Sequence, residues 1–322
     1  MLRAFKSILF ICLTFLFLSG CSYFESGQIQ NVGMLLDSTI DGNAWNESGY
    51  EGLLRIGEKY DMDVYYKENI DTEEEIRKAV DELVYDGVNL IFGHGSLYGD
   101  YFSDLSHYYP DVHFVYFNGG IYGENITSLN FNSHAMGFFG GMVAGKMTKT
   151  NEVGVIAAFL WQPEIEGFYE GVKYQNPNAE VEIDYIKGWD DTETAYSMYE
   201  KMKNENVDVF YPVGNAYSEK IIKQVEKDGL YAIGYVENQL EFAPNAVLTS
   251  TIQQVDKLYE ITAEKFNKGK LEGDILTFDF QDGVISLGEF NKVIPKDFIE
   301  TLNKTVEDYK ESSLLPNERL EN

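Results

Sequence analysis

The chain has 322 residues, of which 44% are hydrophobic and 15% aromatic, so it is long and apolar enough for two domains and is not a disordered chain. Acidic residues outnumber basic ones by 53 to 25, which disfavours direct contact with nucleic acid, because phosphate binding depends on Lys and Arg. The two cysteines are Cys12 and Cys21, so the chain beyond them has no disulfide, no cysteine metal site and no cysteine nucleophile.

The first 20 residues are typical of a bacterial lipoprotein signal peptide. Arg3 and Lys6 precede an apolar run, residues 8–18, that is shorter than the roughly 20 residues a membrane-spanning helix needs. It ends in Leu18-Ser19-Gly20-Cys21, which resembles a lipobox, in which the cysteine is diacylated and the preceding peptide removed. Two acyl chains anchor a protein stably. We therefore predict attachment through Cys21 to the outer face of the cell membrane; an uncleaved anchor and a plain signal peptide are the alternatives.

Without the two basic residues of the leader, 23 Lys and Arg face 53 Asp and Glu, a net charge of −30. Residues 21–30 are polar and predict a short tether. Strands and helices then alternate. Strands are predicted at 31–36, 62–66, 88–92 and 112–117, with helices at 47–60 and 72–85. The second helix begins with Thr72 and Glu75 at the spacing of a capping box.

The same alternation returns in the second half of the chain. Strands are predicted at 153–159, 182–186, 207–211 and 231–235, with helices at 164–173, 193–204, 218–227 and 253–267. Gly283 is predicted at a turn between two strands within 278–290, and residues 311–322 are predicted to be loose. Short apolar strands alternating with helices predict parallel sheets covered on both faces. The fold class is therefore α/β, with two doubly wound parallel-sheet lobes.

Several motifs, in this order, resemble the basic membrane protein family of lipoproteins, which includes purine nucleoside receptors of ABC importers. They are Asp37, Asp41-Gly42-Asn43-Ala44-Trp45-Asn46 with Glu51-Gly52, Asn125-Ile126 followed by Phe138-Phe139-Gly140-Gly141 and Ala144, Pro163 with Phe168 and Gly171, Gly188-Trp189-Asp190-Asp191, and Ile233-Gly234 with Gln239, Thr249-Ser250 and Val255-Asp256.

The resemblance implies a type I periplasmic-binding-protein architecture, with three crossings between lobes and a ligand cleft at the carboxyl ends of the strands. It predicts lobes of 31–130 plus 250–275 and of 131–249 plus 276–310. It also places Asp37, Asp41, Trp45, Asn46, Gly93, Asn118 and the loop from Gly234 at the cleft.

Each of these residues also has a structural interpretation. Trp45 stands where the family has a stacking Phe, but is equally a candidate for a core aromatic. Asn46 either bonds a base edge or holds the turn, and Asp37 and Asp41 either bind ligand or cap the following helix, with capping favoured for Asp41. Phe159 and Trp161 lie where the family supplies an opposing aromatic, or else belong to the core.

The departures from the family pattern concern the ribose site. Val236 and Asn238 replace two aspartates, Gln253 replaces a lysine, Asn118 an aspartate and His94 a phenylalanine. Each lost charge-assisted hydrogen bond is worth about 1.5–3 kcal/mol. The predicted cleft therefore holds a nucleoside weakly, holds another ligand, for example a neutral one, or is empty.

Two functions follow from the resemblance. One is a solute-binding lipoprotein that delivers a small, nucleoside-like ligand to an ABC permease. The other is a regulatory lipoprotein that acts through a signalling partner and indirectly activates competence gene expression. No cofactor, metal site or catalytic residue is predicted: the four histidines lack zinc-ligand spacing, and no Gly-x-Ser-x-Gly motif surrounds Ser96. An enzyme is not expected.

Overall fold

The computed structural model describes residues 28–320, so the predicted leader, Cys21 and most of the tether lie outside the described residues. Within this range no helix is long and apolar enough to cross a membrane. The described residues form two α/β lobes, each built on a six-stranded sheet. Both sheets and the helices that cover them lie within this range.

The sheet of the amino-terminal lobe is parallel throughout. Its strands are β1 (Val32–Leu35), β2 (Val64–Lys67), β3 (Leu90–Gly93), β4 (His113–Phe117), β5 (Ile126–Phe131) and β11 (Ile275–Phe278). Their spatial order is β2-β1-β3-β4-β5-β11. β1, β3 and β4 are buried along their whole length, which explains why they are continuous apolar runs.

Four helices cover this sheet. They are α1 (Ala44–Tyr60), α2 (Glu73–Tyr85), α3 (Tyr98–Leu105) and α8 (Val255–Asn267). α1 and α8 pack on one face and α2 and α3 on the other. The capping box predicted for α2 is confirmed: Thr72 Oγ1 accepts from the Glu75 amide, and the Glu75 carboxylate accepts from the Thr72 amide. The short helix α3 was not predicted, since eight residues give little helical periodicity.

The carboxy-terminal lobe repeats the plan with one antiparallel edge. Its strands are β6 (Glu152–Ala157), β7 (Glu180–Tyr185), β8 (Val209–Val213), β9 (Tyr231–Val236), β10 (Val247–Gln253) and β12 (Ile285–Leu287), in the order β7-β6-β8-β9-β10-β12. Only β12 runs antiparallel to its neighbour within this sheet. The helices are α4 (Ser133–Met147), α5 (Pro163–Gln175), α6 (Thr192–Asn204), α7 (Ala216–Lys227) and α9 (Lys296–Ser312).

The chain crosses between lobes three times, and the crossings bond to one another. The Asn132 amide donates to the Phe278 carbonyl at 2.8 Å, and the Gln254 amide donates to the Val284 carbonyl at 2.7 Å. Asn132 Nδ2 also donates to Asp279 Oδ2 at 2.8 Å. The three linkers therefore form one connected strip between the lobes.

The lobe boundaries differ from those predicted near two crossings. β10 stays in the carboxy-terminal sheet through Gln253, and β11 pairs with β5 in the amino-terminal sheet through Phe278. The two strands flanking Gly283 thus lie in different lobes, and the residue is part of a crossing rather than of a hairpin. A sequence pattern identifies a short strand but does not show which sheet it joins.

The segment after 311, predicted to be loose, is packed against the fold. Helix α9 continues to Ser312, and the following Leu315 is buried. Asn317 Nδ2 donates to Glu170 Oε2 at 2.8 Å, which ties this segment to α5. Within this otherwise polar and charged segment, Leu315 and Pro316 are buried and anchor it to the fold.

Candidate functional site

A cavity of about 490 Å³ lies between the lobes. It opens at the carboxyl ends of β1, β3, β4, β6 and β9, where ligand clefts of such sheets form, and its size is typical of a small-molecule site. Nine of the predicted site residues line it: Asp37, Trp45, Asn46, His94, Asn118, Phe159, Trp161, Val236 and Gln253. Asp41, Gly234 and Asn238 do not line it.

Trp45 forms the aromatic wall of the amino-terminal lobe. Its ring stacks on His94 at 4.9 Å between centroids, and the edges of Phe117 and Phe131 pack against it. The indole Nε1 donates to the His94 carbonyl at 3.4 Å. The side chain therefore packs on aromatic neighbours and also faces the cavity.

His94 supports Trp45 as a neutral side chain. Its Nε2 lies 2.9 Å from the Trp45 carbonyl, which only accepts, so Nε2 carries the proton and Nδ1 accepts from the Tyr259 hydroxyl at 2.9 Å. Burial lowers the pKa of His94 to about 4. The imidazole thus brings no positive charge to the cleft, and both of its nitrogens are used within the lobe.

Asn46 and Asn43 organise the loop before α1. Asn43, and not Asp41, is the N-cap: its Oδ1 accepts from the Asn46 amide at 3.2 Å. Asn46 Nδ2 donates to Ser38 Oγ and to the Thr39 carbonyl, so it holds the turn and presents at most Oδ1 to a ligand. Asp41 is exposed and lies outside the cavity. The capping role predicted for Asp41 is wrong, because the helix begins two residues later.

Asp37 is a carboxylate at the cleft. Partial desolvation between the lobes raises the pKa of Asp37. A hydrogen bond from Ser38 lowers this pKa, whereas repulsion from Asp190 of the other lobe raises it further. The residue is nevertheless exposed to solvent at the cleft.

The carboxy-terminal lobe supplies a cluster of three aromatic side chains. Phe159 stacks on Trp161 at 5.4 Å, and Trp189 meets both rings edge-on at 5.2 and 5.8 Å. Trp161 is 54% exposed although it is a large aromatic residue. Trp189 lies in a motif of the family resemblance but was not predicted as a site residue. All three tryptophans of the chain, Trp45, Trp161 and Trp189, therefore line the cavity.

A buried polar group, missed in the sequence, lies beside these rings. Glu164 is 3% exposed, and its Oε1 accepts from the Tyr235 hydroxyl and from Gln162 Nε2, each at 3.0 Å. Burial raises the pKa of the Glu164 carboxyl, and the hydrogen bonds oppose the rise. No local pattern identifies Glu164 as a buried acid, because an acid in the first turn of a helix usually interacts with the helix dipole.

The residues of the expected ribose site lie in different places in the structure. Val236 has φ 70°, an unusual conformation for a β-branched residue, and lines the cavity at the end of β9. Gln253 is buried at a crossing, with Nε2 3.4 Å from Ser133 Oγ. Asn238 is exposed outside the cavity, and Gly234 is buried within β9 beside Ser250 and Gln239.

None of the side chains that line the cavity is Lys or Arg, whereas two, Asp37 and Glu164, are carboxylic acids. Residues 28–320 also contain no group of three or more His, Cys, Asp or Glu placed to hold a metal ion. The described cleft is thus aromatic and acidic, and it offers a ligand no positive charge.

Comparison with known proteins identifies the family. Residues 29–318 match the Bmp family model, described as "ABC transporter substrate-binding protein PnrA-like". The chain belongs to the Bmp family. This confirms the resemblance drawn from the motifs, and it assigns the chain to a family of solute-binding proteins rather than of enzymes.

Two proteins similar to this chain carry names that point to different roles. The chain is 49% identical over 302 residues to the Transcriptional activator protein med of Bacillus subtilis (strain 168), covering 94% of this chain and 95% of that protein. It is 26% identical over 306 residues to the Basic membrane protein A2 of Borrelia garinii subsp. bavariensis, covering 89% and 88%. The diverged motifs predict that the chain is similar to Med within the family, and the identity of 49% confirms this likeness.

Solved structures agree with the two-lobed fold. A transcriptional activator of the comK gene from Bacillus halodurans superposes with a TM-score of 0.83 at 46% identity, covering 88% of this chain and 99% of that one. A solute-binding protein of an ABC transporter system from Aeropyrum pernix K1 gives a TM-score of 0.72 at 19% identity, covering 89% and 81%. The second likeness concerns the fold alone. The predicted type I periplasmic-binding architecture is confirmed.

Proposed function

We propose that this Bmp-family chain is an extracytoplasmic lipoprotein, anchored through Cys21, that binds a small molecule between its lobes. The observation that carries the proposal is the cavity of about 490 Å³, lined from both lobes by aromatic faces and buried polar groups. Such a cleft, with few polar groups among aromatic ones, is the usual form of a small-molecule site.

Nucleosides are the first ligands to test, because the family contains nucleoside receptors and the cleft has aromatic side chains on both walls. Trp45 lies on one lobe and the cluster of Phe159, Trp161 and Trp189 on the other. Val236 and Gln253 provide neither the carboxylate nor the ammonium of a ribose clamp. We therefore expect weak nucleoside binding and no binding of nucleotides, whose phosphate meets Asp37 and Glu164 without a cation.

Tryptophan fluorescence tests the proposal directly, since all three tryptophans line the cavity. Residues 28–320 are titrated with adenosine, inosine and guanosine, and with their monophosphates as the anionic control. Thermal unfolding of the same samples is recorded, because a ligand that binds only the folded state raises the melting temperature. Trp45→Ala is expected to abolish both responses.

A regulatory role is the second candidate, favoured by the names of the relatives at 49% and 46% identity, both of which are transcriptional activators. With its acidic charge and predicted anchor outside the cell, this chain would act on transcription indirectly. The test is a comK reporter in Bacillus subtilis lacking its own Med, complemented with this chain. Restored expression that is lost in Cys21→Ala supports the anchored regulator; ligand uptake through a permease without any effect on the reporter supports the importer.

A further inference from the structure

Glu164 is a buried carboxyl that has no positively charged partner within residues 28–320. It is 3% exposed, and the Tyr235 hydroxyl and Gln162 Nε2 both donate to one of its oxygens, Oε1. The further hydrogen bond to this carboxyl comes from the Glu164 backbone amide, so all of its donors are uncharged. Buried acids are normally paired, because an ion taken out of water without a partner is costly. The open side of this carboxyl is the cavity, which Glu164 lines.

The surroundings of Glu164 favour positive charge. Asp37 lines the same cavity, and no Lys or Arg does so among the residues that the structure describes. His94 is neutral, since its Nδ1 accepts from Tyr259 and its Nε2 donates to a carbonyl. The net charge of −30 without the leader attracts cations to the molecule as a whole.

The aromatic side chains of the cleft also suit a cation. Phe159, Trp161 and Trp189 pack against one another on the lobe that carries Glu164, and Trp45 faces the cavity from the other lobe. Aromatic faces attract ammonium groups through the ring quadrupole, most strongly in tryptophan, and clusters of such rings are a common way to bind quaternary ammonium ligands.

We propose that the ligand of this cleft is an organic cation, whose ammonium or amidinium group pairs with Glu164 while its apolar body lies against the tryptophans. The inference rests on the proposed function and specifies its ligand. This proposal explains why Val236 and Gln253 stand where the family pattern has an aspartate and a lysine. A cleft that binds a cation needs no lysine, and Glu164 supplies its carboxylate.

The test compares two cations with neutral compounds of nearly the same shape. The pairs are choline with 3,3-dimethylbutan-1-ol, and 2-phenylethylammonium with 2-phenylethanol. Binding to the full-length chain, solubilised in detergent, is measured at neutral pH by tryptophan fluorescence and by calorimetry. The variants are Glu164→Gln, which removes the charge but keeps the shape, and Glu166→Gln, which removes a charge from an exposed position in the same helical turn.

We expect at least one cation to bind at least tenfold more tightly than its neutral counterpart. This preference should disappear in Glu164→Gln and persist in Glu166→Gln. Equal affinity for the members of both pairs, or an unchanged preference in Glu164→Gln, overturns the inference. Nucleoside binding without binding of either cation also overturns it, but leaves the solute receptor intact. A folded protein that responds to neither panel contradicts both proposals.

Discussion

Two histidines of the amino-terminal lobe, His94 and His113, are buried, and burial keeps both of them neutral. His113 Nε2 lies 2.7 Å from Thr127 Oγ1, which itself donates to the Glu272 carbonyl, so the histidine donates through Nε2. Burial lowers the pKa of both His94 and His113 to about 4. The sequence suggested lone polar residues for both; the structure shows that they link strands and helices of the amino-terminal lobe.

These pKa values predict a pH dependence of stability. Below pH 6.5 the unfolded chain takes up protons at these histidines while the folded chain does not, so the free energy of unfolding falls as the pH drops from about 6.5 to about 4. The loss is about 3 kcal/mol for each histidine at most. Urea unfolding at several pH values measures it.

The variant His113→Gln removes one of the two titrating groups, so we expect a shallower fall over this range. His107→Gln changes an exposed histidine of the same lobe and is the control, with the wild-type dependence expected. Glu164 has the opposite effect on the pH dependence. Because burial raises its pKa, the contribution of Glu164 to the free energy of unfolding is lost as the pH rises through that pKa. An equal slope in His113→Gln would refute the assignment.

Among the site residues, the prediction succeeded where a side chain directly follows a strand. Asp37, His94, Asn118 and Phe159 lie in such positions, since the carboxyl ends of parallel strands meet at one edge. The prediction missed Glu164, because the burial of this acid depends on residues that are distant in sequence. Its hydrogen-bond partner Tyr235 is 71 residues away. Local patterns contain no information about such a partner.

At the scale of elements, the pair of helices α4 and α5 depends on glycine. A side chain at Gly141 would place its first carbon 2.1 Å from the Phe168 carbonyl oxygen, and one at Gly171 would come within 1.9 Å of the Phe138 carbonyl oxygen. The two backbones therefore lie closer than any larger residue permits. Gly141, which belongs to one of the motifs of the family resemblance, thus permits this close packing.

We expect Gly141→Ala to lower the free energy of unfolding by at least about 3 kcal/mol, or to prevent folding, because the clash is with backbone that cannot rotate away. This is opposite to the gain of about 1 kcal/mol that alanine gives in an unhindered helix. Gly140→Ala is the matched control, since its nearest neighbour is the Thr251 side-chain methyl at 3.0 Å. Urea denaturation compares them; equal losses would contradict the close approach.

Across the whole molecule, Asp279 connects the lobe crossings to α9. Its Oδ2 accepts from Asn132 Nδ2 at 2.8 Å and from the Tyr309 hydroxyl at 2.5 Å. Asn132 lies in one crossing, Asp279 in another, and Tyr309 in a helix of the carboxy-terminal lobe. One carboxylate thus joins segments 147 and 30 residues away along the chain.

Replacing Asp279 with alanine leaves the Tyr309 hydroxyl and the buried Phe280 amide without this acceptor, whereas Asn132 Nδ2 still donates to the Tyr309 oxygen at 2.9 Å. We expect Asp279→Ala to reduce the free energy of unfolding by about 2–4 kcal/mol, since each unsatisfied buried group costs about 1–3 kcal/mol. Tyr309→Phe removes one donor and keeps the acceptor, so its loss should be nearer 1 kcal/mol. Chemical denaturation gives both values, and a Tyr309→Phe loss as large as that of Asp279→Ala would show that packing, rather than this carboxylate, connects the crossings.

The sequence by itself determined the α/β class, most strands and helices, the capping box at Thr72 and the membership of the Bmp family, because these depend on local periodicity and on ordered motifs. The tertiary structure alone decided which sheet β10 and β11 join, that Leu315 anchors the end of the chain, and that Glu164 is buried beside Tyr235 in a cleft without lysine or arginine. Strand pairing, burial and the charge of a cavity arise from residues far apart in the chain. Their energies depend on the packed neighbours, which no local pattern contains.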